Sequence, residues 1–251
     1  MHTNGKRFTS LEYSLPQTSI SKSKSDSNPQ GDENKTLHPE QLGDDHVGTS
    51  VETPLHPEAF ALSEEEKIER IEGHFAQIMK TLGLDLNDDS LAGTPHRVAK
   101  MYVKEVFSGL HPDNRPNIRL FDNTYTYRNL LIEKNISFKS HCEHHFVPIT
   151  GKAHVAYIPQ NKVVGLSKLN RLVQYYAKRP QVQERLTRQI GLDLTETLLT
   201  EDIAVWIEAD HMCVSMRGVE DQHSSTTTSF FSGRFESDQD IKNEFLHAIR
   251  K

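Results

Sequence analysis

The feature that most constrains how this chain can fold is a change of hydrophobic period that is made once and then reversed. Residues 125–140 and 146–158 carry short apolar runs rich in β-formers. Leu131, Ile136 and Phe138 stand among polar neighbours in the first, and the second reads as a hairpin bent around Thr150-Gly151. Two helical patterns follow. Leu169, Leu172, Val173 and Tyr176 share one side of residues 168–178, and Pro180 ends that run. Val182, Leu186, Ile190, Leu194 and Leu198 then recur every four residues. Strand patterns return at 203–209, 212–216 and 225–231. The order strand-strand-helix-helix-strand-strand predicts an α+β domain, an antiparallel four-stranded sheet with both helices on one face. A lone sheet of this size has two open edges. Such edges are closed or paired with other chains, so a homo-oligomer is expected.

The flanks divide the chain into three regions. Residues 1–58 are polar, rich in Ser, Asn, Asp and Pro, and show no apolar period, so they cannot bury enough surface to offset the entropy of ordering. Residues 59–115 read as helical. Ser63 and Glu66 form a capping box ahead of Ile68, Ile71, Phe75, Ile78 and Met79, with Gly83 as the stop. A second helix follows Thr94-Pro95, with proline suited to its first turn. Residues 116–251 hold the α+β domain, and a last helix begins near Ser237 and carries Ile241, Phe245 and Ile249.

Composition excludes several function classes. The net charge of -6 gives no overall basic field for nucleic acid. No apolar run is long enough to span a membrane. With two cysteines there is no disulfide framework, and the N-terminus lacks the apolar core of a secretory signal. A cytoplasmic location is the resulting expectation.

The chemistry gathers in two segments. His141-Cys142-Glu143-His144-His145 places one thiol and three imidazoles beside a carboxylate, and the second thiol, Cys213, follows His211 by two residues. Cys142, His145 and Cys213 make a borderline-soft donor set that suits Zn²⁺. Three protein ligands leave a fourth position open to water, as in catalytic rather than structural zinc sites. A cysteine alone is more often an inert small hydrophobe; the coincidence of both segments favours metal. If 212–216 is a strand, His211, Cys213, Ser215 and Arg217 share one face, with Met212, Val214 and Met216 turned to the core. There is no His-Glu-x-x-His and no Pro-Cys-x-x-Cys, which disfavours that class of metalloprotease and the nucleobase deaminases.

Other residues suit an anionic, nitrogen-rich ligand. Ser167 reads as a helix N-cap, and Lys168 and Arg171 sit together on the first turn, an arrangement that attracts anions. Arg97 and Arg217 are single cations. Glu184, at the start of the next helix beside Gln183, either complements the helix dipole or accepts paired N–H groups from a planar base such as guanine.

Five stretches together resemble GTP cyclohydrolase I. They are Thr94 to Met101 (TPHRVAKM), Cys142 to Phe146 (CEHHF), Gly165 to Arg171 (GLSKLNR), Arg179 to Thr187 (RPQVQERLT) and His211 to Gly218 (HMCVSMRG). The likeness covers about residues 63–251. It implies a tunnelling fold with an N-terminal helical extension, in which subunits join sheets into a ring. It further implies a homodecamer of two pentamers with active sites between subunits. The implied reaction converts GTP and water to 7,8-dihydroneopterin triphosphate and formate, the entry to pterin and folate synthesis. By the same resemblance Cys142, His145 and Cys213 hold zinc, and His144 and His211 move protons. Ser167 meets the ribose, and Gln183 and Glu184 hold guanine. Lys168, Arg171 and Arg217 bind the triphosphate, with Arg97 joining from a neighbouring subunit. Neither a membrane nor a nucleic-acid partner is implied.

Overall fold

The computed structural model describes residues 50–250, so most of the polar tail expected at 1–58 lies outside the described residues. Helix α1 spans Glu64–Thr81. The capping box forms as expected: Ser63 Oγ accepts from the Glu66 N–H, and the Glu66 carboxylate accepts from the Ser63 N–H at 2.8 Å. Gly83 ends it at φ +85°, a conformation that only glycine adopts without strain, and the Leu84 N–H reaches back to the Met79 carbonyl. A short α2 (Asp89–Ala92) leads to α3 (Thr94–Met101), with Pro95 in its first turn. The helix then widens into a π turn, Tyr102–Val106. Strand β1 (Leu120–Asp122) pairs with β4 (Lys162–Val164) as a separate ribbon.

The main sheet is built from β2 (Leu131–Cys142), β3 (Pro148–Tyr157), β6 (Ile203–His211) and β7 (Thr226–Phe231), all antiparallel. Between the two hairpins run α4 (Leu166–Ala177) and α5 (Gln183–Leu198). The α6 turn (Met212–Ser215) follows β6, and α7 (Arg234–Ser237) and α8 (Gln239–Ile249) close the chain. The α+β architecture and its order of elements match the sequence pattern.

Four local expectations are corrected. The sheet has a fifth member: β5 (Pro180–Gln181) pairs in parallel with His141 and Cys142 at the end of β2. Thr150-Gly151 is not a bend, since β3 runs unbroken through both. Gly151 serves close strand packing instead, because a Cβ there would lie 2.4 Å from the Glu208 carbonyl oxygen. The turn between β2 and β3 is made by the His/Cys cluster itself, with β2 starting at Leu131 rather than Tyr125. Finally, residues 212–215 form a helical turn, not a strand, so the alternation that put Met212 and Met216 in the core fails. Both are exposed.

The helices cover one sheet face because each presents an apolar stripe to it. Leu169, Leu172, Leu186, Ile190 and Leu194 meet Phe138, Ile149, Val155, Tyr157, Ile203, Val205 and Ile207, all buried. Gly191 lets α5 lie close to β7; a Cβ there would sit 2.3 Å from the Phe230 ring. The opposite face is covered at one end, where Phe235 and Phe245 pack on Ala156 and Ala204. Among the described residues, β7 has no strand on its outer side, and most of the outer margin of β2 is likewise unpaired.

Candidate metal centre and active site

Three elements converge at the end of the sheet where β2 and β6 finish. Cys142 is the last residue of β2 and is buried. The chain then reverses in a tight turn: the Phe146 N–H donates to the Cys142 carbonyl, and the Cys142 N–H donates to that of Val147, both at 2.8 Å. Phe146 takes a left-handed φ of 56°, an uncommon conformation for an aromatic residue. Its ring and that of His141 each pack edge-on against Phe107, with centroids 5.2 and 5.3 Å away, so the segment after the π turn buttresses the turn. Strand β5 holds the other side, where the Glu143 N–H donates to the Gln181 carbonyl at 3.0 Å.

Cys213 arrives from β6. Its place in a helical turn, not on a strand, swings the thiol back toward the β2 end. Cys142, His145 and Cys213 thereby bring one donor atom each within 4.8 Å of one another. Burial pushes the Cys213 thiol pKa up, and the neighbouring Cys142 sulfur adds to the rise. A divalent cation held between the two sulfurs offsets the cost of ionising Cys213. The donor set, S₂N with an exposed imidazole on one side, fits Zn²⁺. Arg217 Nη1 lies 2.8 Å from His145 Nε2 and leaves Nδ1 as the ring nitrogen turned toward Cys142 Sγ, 4.0 Å away.

The N-terminus of α5 stands beside this cluster because β5 ties it to β2. Gln183 is buried and its amide is fully engaged. Its Nε2 donates to the Thr226 carbonyl (2.9 Å), Thr228 Oγ1 (3.1 Å) and the Ile207 carbonyl (3.3 Å), while Oε1 meets His211 Nε2 at 2.7 Å. Burial lowers the His211 pKa, opposed by the charges of Glu184 and Asp210. Glu184 is exposed on the first turn of α5, close enough to act on that ring. His144 sits in the turn with Nε2 3.8 Å from Glu143 Oε1 and Nδ1 3.8 Å from Cys142 Sγ.

Eight of the expected residues thus share one region: Cys142, His144, His145, Gln183, Glu184, His211, Cys213 and Arg217. The other four do not join them within the chain. Ser167, Lys168 and Arg171 lie on the first turns of α4, at the opposite end of β2. Asn170 bonds Glu133 and Gln174 bonds the Ser137 carbonyl, so α4 runs alongside β2 and reaches the Cys142 end only after its C-terminus. At roughly 3.3 Å per strand residue, the Glu133 end is about 30 Å from Cys142. Ser167 is also not the cap, which is Gly165 with extended φ and ψ. Arg97, on α3, bonds Ser90 and Thr94 within its own module.

Two residues of the site stand inside stretches that carry the family resemblance, yet neither spacing nor resemblance gives them a role. Arg185 is buried on α5 and forks onto the Glu143 carboxylate, forming an ion pair across the turn. A carboxylate next to a metal-donor candidate and an arginine 42 residues further on carry no local sign that they pair.

Comparison with known proteins agrees with this geometry. The family model described as GTP cyclohydrolase I matches residues 71–250. A protein of Flavobacterium johnsoniae named GTP cyclohydrolase 1 is 54% identical over 211 residues, covering 84% of this chain and 94% of that protein. Proteins of the same name from Aeromonas salmonicida (54% over 200 residues, 80% of this chain and 91% of that protein) and Escherichia coli (50% over 204 residues, 81% and 92%) align over a similar span. Likeness of this depth, with the family model spanning nearly the whole described fold, makes the chain a member of the GTP cyclohydrolase I family of enzymes.

Proposed function

We propose that the chain converts GTP and water to 7,8-dihydroneopterin triphosphate and formate with the help of zinc, the first step of pterin and folate synthesis. The observation that carries this reading is the convergence of Cys142, His145 and Cys213 beside His211 and Glu184, in a chain of this family. Cys142, His145 and Cys213 would hold the zinc, which when bound supplies a Lewis acid able to acidify water near neutral pH.

The chain's own residues supply the rest. His211 donates Nε2–H to Gln183 and keeps Nδ1 free of that bond, so it can take or give a proton at a fixed position. His144, exposed in the turn, is the second proton carrier. Glu184 accepts paired N–H groups of guanine; a bidentate contact of that kind selects strongly. The Gln183 amide is already committed, so its contribution to guanine binding runs through the placement of His211. Arg217 binds triphosphate near the metal. Ser167, Lys168 and Arg171 complete the ribose and phosphate contacts from a different subunit, since about 30 Å of β2 separates them from the metal end of their own chain. Arg97 also joins from a neighbour.

An oligomer would account for this split, read here as a tunnelling-fold ring and in full a homodecamer, and the margins of β2 and β7 that are unpaired among the described residues are suited to join sheets between subunits. The partner molecule is GTP; no nucleic acid or membrane enters, among the described residues no helix is long and apolar enough to cross one, and the proposed location is the cytoplasm. Incubating purified protein with GTP, with and without chelator, tests the reading. Formate release and a fluorescent pterin after oxidation, both lost on chelation, are expected; a zinc-loaded protein that releases no formate would overturn it.

A further inference from the structure

The turn that carries Cys142 and His145 has an anchor outside the donor set. Arg185 is 4% exposed, which is unusual for a residue of its charge. Its guanidinium donates through Nη1 and Nη2 to both oxygens of Glu143, and through Nε to the Ser50 carbonyl at 2.9 Å. The fork is therefore held in plane from three sides, two of them on one carboxylate. Glu143 in turn lies between Cys142 and His144 in sequence. Its backbone N–H is fixed on Gln181, and its Oε1 faces His144 at 3.8 Å.

Arg185 is buried and Glu143 partly so, and an ion pair of this kind seldom adds much stability over apolar residues of the same volume, because desolvation offsets the attraction. A different role fits its position. Groups just outside a metal's ligands set the orientation of those ligands, and their loss typically weakens metal binding by about 10- to 100-fold. We propose that Arg185 is a positioning residue of the metal turn: by gripping Glu143 from the rigid body of α5, it holds Cys142 and His145 in the arrangement that meets Cys213. The proposal rests on the metal reading given above and concerns residues outside the donor set.

The experiment measures zinc affinity by chelator competition in the full-length protein and in Glu143→Gln, Arg185→Lys, Arg185→Met and Cys213→Ser. The visible absorption of cobalt-loaded protein is recorded alongside, together with thermal unfolding of the metal-free forms. Glu143→Gln and Arg185→Met are expected to weaken zinc binding by about 10- to 100-fold and to alter the cobalt spectrum. Arg185→Lys keeps a charge but not the fork and should fall between them and wild type. The two lesions should be non-additive when combined, since each breaks the same grip. If Arg185→Met proves too unstable to purify, Glu143→Gln, which is nearly isosteric, decides. Zinc affinity and cobalt spectrum unchanged in Glu143→Gln and Arg185→Lys, while Cys213→Ser loses metal, would overturn the positioning role and leave the metal centre standing. Metal retained in full by Cys213→Ser would instead remove the metal reading on which the proposal rests.

Discussion

Gln183 Oε1 accepts from His211 Nε2 at 2.7 Å, and the rest of the Gln183 amide settles the direction of that bond. Its Nε2 is surrounded by acceptors, the carbonyls of Thr226 and Ile207 and the Thr228 hydroxyl, so the oxygen must face the ring. The proton of a neutral His211 therefore sits on Nε2, and Nδ1 is the nitrogen left for chemistry. Gln183→Leu removes this definition and strands both the ring N–H and the Thr226 carbonyl. Stability should fall by about 1–3 kcal/mol, measured by denaturant unfolding, and formate production should drop on the order of tenfold or more. A Gln183→Leu enzyme with wild-type turnover would show that the ring needs no such partner.

Cys213→Ser should lose most of its zinc and its turnover while keeping its assembly, because the residue sits at the end of β6 in a half-exposed turn rather than in the core. Metal analysis, size-exclusion chromatography and the formate assay on one preparation check all three. A serine hydroxyl is a far weaker ligand for a borderline-soft ion than a thiolate.

The placement of Ser167, Lys168 and Arg171 at the far end of β2 predicts complementation between subunits. Cys213→Ser and Lys168→Ala proteins should each be nearly inactive. Unfolded together and reassembled in equal amounts, they should recover roughly a quarter of wild-type activity, the share of sites drawing one intact half from each kind of chain. No recovery in verified mixed oligomers would mean that both halves of each site come from a single chain.

Asp193 links three parts of the fold. It accepts from Arg115 at 2.6 and 2.9 Å, from Tyr176 at 2.7 Å and from Thr197 at 2.7 Å. Burial alone would push its carboxyl pKa up, but these donors outweigh burial and hold it below the ordinary carboxylate range. A depressed folded pKa contributes stability that is present above the unfolded value, near pH 4, and lost as pH falls through the folded one. Asp193→Asn should therefore destabilise the chain by about 1–3 kcal/mol near neutral pH, less than for a fully enclosed pair because Arg115 is half exposed. The gap between the two melting curves should close below about pH 4. A gap that persists into acid would assign the effect to shape rather than charge.

Gly191→Ala should destabilise by about 1–3 kcal/mol despite alanine's better helix propensity, since the added methyl meets the Phe230 ring. Thermal unfolding reads this directly.

Local signals were legible where one residue type had one physical use. Ser63 with Glu66, Gly83 at positive φ and Pro95 in a first turn each fell where the sequence put them. The metal donors were legible because thiols and imidazoles are scarce and these lie in two tight groups. Misreadings came where two structures share a pattern. Met212, Val214 and Met216 alternate like a strand, yet four residues also make one helical turn, and only the need to turn Cys213 back toward Cys142 separates the two. Thr150-Gly151 looks like a turn, but a glycine also suits a central strand whose neighbour approaches closely. Gly165 took the cap from Ser167 because β4 delivers it already extended. The bond between Arg185 and Glu143 left no local trace at all, since pairing across distant segments follows from topology and not from neighbours in the chain.

The unpaired margins of β2 and β7 have a consequence for the life of a newly made chain. An open strand accepts whatever extended peptide reaches it first, a correct neighbour or a stray one. Survival of each chain then becomes a race between correct assembly and misplaced pairing, and a chain held below the concentration at which it assembles keeps those margins open for longer.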